Sequence, residues 1–173
     1  MAVDDDHPPE EALESREPTL EDLVALCGEL ERQGARYVVI GGFAVRAAGF
    51  VRQTMDIDLL IETGPENEKR VFAALESLPD QAVKELEPGE VARYAVVRVA
   101  DEIVVDLMKE ASGIDYAAAA TDTDVHVLDG VRVPFASPSL LWRMKRSTYR
   151  EKDRVDLLFL RKLFESRGEP VPE

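Results

Sequence analysis

Two aspartates one residue apart, Asp56 and Asp58, stand in the run Met55 to Ile61, where they alternate with Ile57, Leu59 and Ile61. That alternation has the period of a β-strand, so both carboxylates project from one face. A third, Asp106, follows the apolar pair Val104-Val105 and is placed to join them from a neighbouring strand. Carboxylates gathered from adjacent strands make an oxygen-rich cage for a hard divalent cation such as Mg2+ or Mn2+, with water and phosphate oxygens completing the shell. An acid pair by itself is more often a solvated strand end. Here the strand is otherwise apolar, and an unpaired carboxylate is costly to bury without a cation. Gly42 lies fourteen residues before Asp56, in a Gly41-Gly42 turn between a strand and a short helix. Glycines there let the backbone approach a phosphate, and the helix N-terminus offers free N–H groups.

The elements that must position these groups are legible as patterns. Thr19 with Asp22 three residues later opens a helix whose apolar residues Leu20, Leu23, Val24, Cys27 and Leu30 repeat at helical spacing up to Gly34. Tyr37–Ile40 is a β-branched strand, Phe43–Ala48 a short helix, and residues 66–78 a longer one. Strands are predicted over 83–86, 91–99 and 103–107, and a hairpin over 125–133 around Asp129-Gly130. Ser137-Pro138 caps a final helix running to about Phe164, with an interruption near Ser147–Tyr149.

Composition sets the scale. The 173 residues, 45% of them hydrophobic, suffice for one domain with a core, expected over 19–165. The first eighteen residues carry seven acids, one base and three prolines and read as a disordered acidic tail; residues 166–173 read as a short C-terminal tail. No apolar run approaches a membrane span, no leader pattern is present, and the lone Cys27 fits core packing in a reducing cytoplasm. His7 and His126 have no ligand company, and Trp142 sits at core spacing between Leu141 and Met144. The net charge of −14 argues against a polyanionic partner, but it is unevenly spread: Arg143 to Lys162 holds eight bases and three acids, a +5 segment in a chain that is otherwise −19. That segment is expected to wall the cleft opposite the Asp56–Asp58 strand and bring Lys145 to the anionic substrate, with little effect of Lys145 on stability. Asp153 and Asp156 read equally well as partners that orient Lys145 or Arg150 and as surface pairs.

The stretch GGFAVRAAGFVRQTMDIDLLI resembles the signature of the polymerase-beta-like nucleotidyltransferase superfamily, in which a Gly-Gly or Gly-Ser turn precedes an acid-x-acid strand. It resembles most the small bacterial AbiEii-type branch, where Arg-x-Thr-x-Asp-hydrophobic-Asp is typical; here these are Arg52, Thr54, Asp56 and Asp58. GIDYAAAA and LLWRMKRSTYREKDRVDLLFL look like the same branch, whose C-terminal helix carries a lysine and then a basic-Lys-Asp-x-x-Asp pattern. The likeness runs from Tyr37 to Leu163. It implies an α+β fold: a small mixed sheet flanked by helices, with a C-terminal helix closing the cleft. It further implies two Mg2+ or Mn2+ ions and a nucleoside triphosphate, with an acceptor hydroxyl attacking the α-phosphate and pyrophosphate leaving. Asp56, Asp58 and Asp106 would be the metal-binding and catalytic acids, with Gly41, Gly42, Arg52, Thr54, Lys145, Arg150 and Lys152 around the nucleotide. The acceptor is left open among tRNA, protein and a small molecule, and a toxin–antitoxin partner is among the expected partners. Gly-Gly rather than Gly-Ser at the turn departs from antitoxin members, and the chain is short for the toxins.

Two other classes compete with the enzyme. A catalytically silent binding or antitoxin module would use the same groove for a partner, yet has no need to keep three mutually repelling carboxylates together. Phosphohydrolase chemistry fits the acids but not the glycine turn.

Overall fold

The computed structural model describes residues 14–173, so His7 and the acids Asp4 to Glu11 lie outside the described part. Helix α1 (Leu20–Gln33) begins at the expected capping box: Thr19 Oγ1 accepts from the Asp22 N–H at 3.2 Å, and an Asp22 carboxylate oxygen accepts from the Thr19 N–H at 2.7 Å. Gly34, left-handed at φ +68°, ends it. Strand β1 (Tyr37–Ile40) then turns through Gly41 into α2 (Gly41–Ala47), and β2 (Ile57–Ile61) returns antiparallel to β1. Helix α3 (Pro65–Leu75) packs against α1.

Between α3 and the next strand the structure departs from the sequence reading. The strand expected over 83–86 is a single 3-10 turn, Ala82–Glu85, and the one expected over 91–99 is split into helix α4 (Glu90–Arg93) and strand β3 (Val97–Ala100). Tertiary anchoring overrides β-propensity here. The buried Asp101 carboxylate accepts from the Asp80 and Ala82 N–H groups and holds the first turn, while Gly89, at φ +83° and tied to Glu68 Oε1 at 2.6 Å, starts the second. Val83 and Val91 are buried as isolated anchors rather than as one face of a strand.

Strand β4 (Val104–Met108) follows, then a small hairpin, β5 (Glu110–Ala111) and β6 (Ile114–Asp115), and a short helix α5 (Tyr116–Ala119) capped by Asp115. Strands β7 (Thr123–Leu128) and β8 (Val131–Ala136) form the predicted hairpin, with Asp129 and Gly130 both at positive φ as a two-residue turn of the primed type requires. The C-terminal helix is two helices, α6 (Pro138–Lys145) and α7 (Glu151–Ser166), broken where the interruption was expected.

The six long strands form one mixed sheet in the order β3-β4-β2-β1-β8-β7, with β2/β4 and β1/β8 parallel and the other pairs antiparallel. This is the small mixed sheet flanked by helices that the sequence implies. Its apolar core includes Leu23, Leu30, Ile57, Leu59, Val105, Leu107 and Leu140, all fully buried, and Cys27 and Trp142 pack into it. Ahead of α1, Pro18 is buried, Ser15 Oγ donates to the Asp101 carbonyl at 2.6 Å, and Arg16 pairs with Asp22 and Glu102. At the other end Ser166 still belongs to α7, and Val171 packs against the core. Among the described residues no helix is long and apolar enough to cross a membrane.

Candidate active site

The register of three strands builds the acidic cluster. Asp58 on β2 pairs directly with Asp106 on the parallel β4, and Asp106 pairs in turn with Arg98 on β3, so the three side chains form a row across one face of the sheet. Asp56, two residues before Asp58, rises from the same face just ahead of β2. One oxygen from each of Asp56, Asp58 and Asp106 lies within 4.8 Å of the others. The residues between them, Ile57, Val105 and Leu107, point the other way and are fully buried, which fixes the orientation of the row. Like charges directly opposite on neighbouring strands repel, so the cluster calls for a counter-charge.

The glycine turn is shaped by the protein's own side chains. Gly41 needs its left-handed backbone at φ +67°, and a Cβ there would overlap the Asp58 carboxylate; a Cβ on Gly42 would sit 2.6 Å from the Thr54 Cβ. Thr54, buried, donates its hydroxyl to the Asp56 carbonyl at 3.0 Å. Glycines, threonine and acid strand therefore interlock, which accounts for their spacing in the sequence.

A cavity of about 730 Å3 opens in front of the row and is lined by every residue singled out from the sequence: Gly41, Gly42, Arg52, Thr54, Asp56, Asp58, Asp106, Lys145, Arg150 and Lys152. The first turns of α7 and the end of α6 form its basic wall. Three of the four cavity bases named from the sequence are already held by ion pairs. Arg52 grips both oxygens of Asp156 at 2.8 and 2.9 Å, Lys145 Nζ donates to Asp153 at 2.9 Å and lies 3.1 Å from Asp156, and Arg150 donates to Asp153 at 2.8 Å. Asp153 and Asp156 are fully buried, so they are an internal clamp and not surface pairs. Lys145, itself only 7% exposed, is part of that clamp, which corrects the expectation that it contributes little to stability. Lys152 also faces the cavity and has no ion pair among the described residues. Arg143 pairs instead with Asp122, and Arg161 stacks on Trp142, so part of the basic segment turns away from the cleft.

No protein-family model and no curated protein matches the sequence. Among solved structures, a nucleotidyltransferase-like antigenic protein from Paracoccidioides brasiliensis superposes with a TM-score of 0.50 at 18% identity, covering 83% of this chain and 76% of that one. The fold is nucleotidyltransferase-like. At that identity the likeness speaks for the architecture, and the chemistry must be read from the side chains.

In this nucleotidyltransferase-like frame the three acids could hold a metal ion. Burial, together with the charges of Asp56 and Asp106, pushes the Asp58 carboxyl up to about 7, against the pull of Lys152 and Lys145. Burial and the Asp106 charge push Asp56 up as well. Such shifts mark uncompensated negative charge that a bound cation relieves. The three carboxylates offer only hard oxygen donors, so the set can hold a metal ion. Arg98 supplies partial compensation: its guanidinium donates to both Asp106 oxygens at 2.9 and 3.0 Å and to Asp56 at 3.3 Å. The sequence reading missed Arg98. Its signal was the alternation Val97-Arg98-Val99, with both valines buried, which places one arginine on the cleft face of the strand next to Asp106.

Proposed function

We propose that the chain is a divalent-metal-dependent nucleotidyltransferase that moves a nucleoside monophosphate from a nucleoside triphosphate to an acceptor hydroxyl. The acceptor hydroxyl releases its proton to solvent as its oxygen bonds to the α-phosphorus, the bond from that phosphorus to the oxygen bridging to the β-phosphate breaks, and pyrophosphate leaves. The observation that carries this reading is the convergence of Asp56, Asp58 and Asp106 within one cavity that is walled by Arg52, Lys145, Arg150 and Lys152. Asp56, Asp58 and Asp106 would hold two Mg2+ or Mn2+ ions, which supply charge neutralisation for the polyphosphate and a lowered pKa for the acceptor hydroxyl. Lys152 and Arg150 meet the polyphosphate charge from the opposite wall, while Asp153 and Asp156 keep Lys145 and Arg52 in place beside it. The interlocked Gly41, Gly42 and Thr54 hold the acid strand at the cavity floor.

The resemblance to the AbiEii-type branch motivates the finer part of the proposal: a cytoplasmic enzyme whose acceptor is a tRNA, a protein or a small molecule, working beside a toxin–antitoxin partner. One observation favours a second reading, a binding module without catalysis. Arg98 already sits on Asp106 and Asp56, as it would in a groove that never takes metal. Incubation with each α-labelled triphosphate, Mg2+ or Mn2+, and total RNA or lysate separates the two. Label transferred by the wild type, and lost with EDTA or Asp58→Asn, is the expected result; no transfer with any triphosphate rejects the enzyme.

A further inference from the structure

Arg98 differs in kind from the other bases of the cavity. Arg52 and Lys145 are clamped by fully buried aspartates, and moving either would strand a buried charge. The Arg98 side chain is 59% exposed and stands on β3, the edge strand of the sheet, while both of its partners belong to the acidic cluster. Among the described residues its side-chain hydrogen bonds and ion pairs are those with Asp106 and Asp56, so swinging into solvent would break no other polar contact of its side chain. Where it stands, its fork engages both oxygens of Asp106, whose side chain is only 8% exposed, and one oxygen of Asp56. Those are the oxygens a divalent ion would need, and two cations cannot share them without repulsion.

We propose that Arg98 is a resident counter-ion of the Asp56–Asp58–Asp106 cluster which a divalent cation must displace, so that metal affinity is set by competition with the guanidinium fork. The inference rests on the reading of the acids as a metal site. Without metal, the fork neutralises the cluster and holds Asp106 in register with Asp58. With metal, Arg98 is released to the cavity rim. Metal binding and the Arg98 contact are therefore negatively coupled, and the coupling is reciprocal.

The test uses the full chain and Mn2+ alone, with free Mn2+ counted by electron paramagnetic resonance and binding followed by calorimetry, on wild type, Arg98→Ala and Arg98→Lys. The lysine variant keeps the charge but cannot form the two-pronged contact. Both variants are expected to bind Mn2+ more tightly, on the order of tenfold for alanine and a smaller but clear gain for lysine, as expected for coupling between two cations at one site. Melting supplies a second readout: Arg98→Ala lowers the melting temperature in EDTA, and the gap to wild type closes at saturating Mn2+. Equal or weaker binding in both variants overturns the proposal. So does tightening in alanine alone, which would reflect the loss of one charge and not of the fork, and so does a melting gap that persists at saturating Mn2+. If neither the wild type nor the variants take up Mn2+, the metal site itself falls, and this inference with it.

Discussion

Asparagine in place of Asp58 removes the most strongly perturbed acid of the cluster at almost no change in volume, which makes it a clean probe of the stored repulsion. The folded protein raises this carboxyl from 3.8 to about 7, with burial as the largest cause and the Asp56 and Asp106 charges next. A shift of that size corresponds to about 4 kcal/mol at roughly 1.4 kcal/mol per pH unit. Asp58 faces an open cavity, where water and the nearby lysines screen it, so about 2 kcal/mol is the better expectation. Because the folded value lies above the unfolded one, the stability linked to this group is fully present below about pH 4 and is lost as pH rises through about 7. In EDTA, wild type should therefore lose about 2 kcal/mol relative to Asp58→Asn between pH 4 and pH 8, a difference of roughly 4–8 °C in melting temperature for a chain of this size. Circular-dichroism melts of both proteins across that range, at low salt, give the difference, in which the pH dependence of groups outside the cluster cancels and that of the coupled Asp56 and Asp106 is included. At pH 8 the variant should be the more stable protein and should show no nucleotide transfer. A variant that melts at or below wild type at pH 8, or a difference that does not change with pH, would refute the reasoning and make Asp58 a structural residue.

Lys145→Ala should destabilise the chain by about 3–5 kcal/mol in urea unfolding, because Asp153 and Asp156 are left buried with fewer partners; a cost below about 1 kcal/mol would contradict the clamp. Lys152→Ala should leave stability within about 0.5 kcal/mol but weaken triphosphate affinity with a salt-dependent component, since Lys152 faces the cavity and has no ion pair among the described residues. Fluorescent-nucleotide titration at two salt concentrations reads this, and unchanged affinity rejects a role for Lys152. Gly42→Ala should cost about 1–3 kcal/mol from overpacking against Thr54, where the new Cβ would lie 2.6 Å from the threonine Cβ; in a double-mutant cycle with Thr54→Gly, which removes both the Cβ and the hydroxyl that the new atom meets, the two changes should cost less together than the sum of the singles, and simple additivity would show the clash to lie elsewhere.

Local pattern carried a large part of this protein. The capping box of Thr19 and Asp22, the Gly34 stop, the Asp129-Gly130 hairpin and the alternation that puts Asp56 and Asp58 on one face are each set by a few consecutive residues, and each stands in the structure as its chemistry dictates. Val83 and Val91 were misread because a β-branched residue favours a strand only if neighbours pair with it. Here the buried Asp101 carboxylate and the Gly89 turn hold the backbone in other conformations. The + 5 segment was visible as a charge count, but a count carries no partners. Only the packing of α7 shows that Asp153 and Asp156 take up two bases of the segment, Lys145 and Arg150, together with Arg52 from outside it, and leave Lys152 facing the cavity.

The sequence by itself determined which face each acid occupies and that a glycine turn precedes them, because side-chain direction follows from backbone period and turn chemistry over short spans. What only the tertiary structure decided is register. Asp58 and Asp106 meet because β2 and β4, which are far apart in sequence, pair in parallel with these two residues opposite each other, and Arg98 meets them because β3 folds back on β4 one strand further out. A slip of one residue would turn Asp106 to the apolar face and break the row, so the register is held by the burial of Ile57, Val105 and Leu107 on the far side of the sheet, a constraint that exists only once the core has formed.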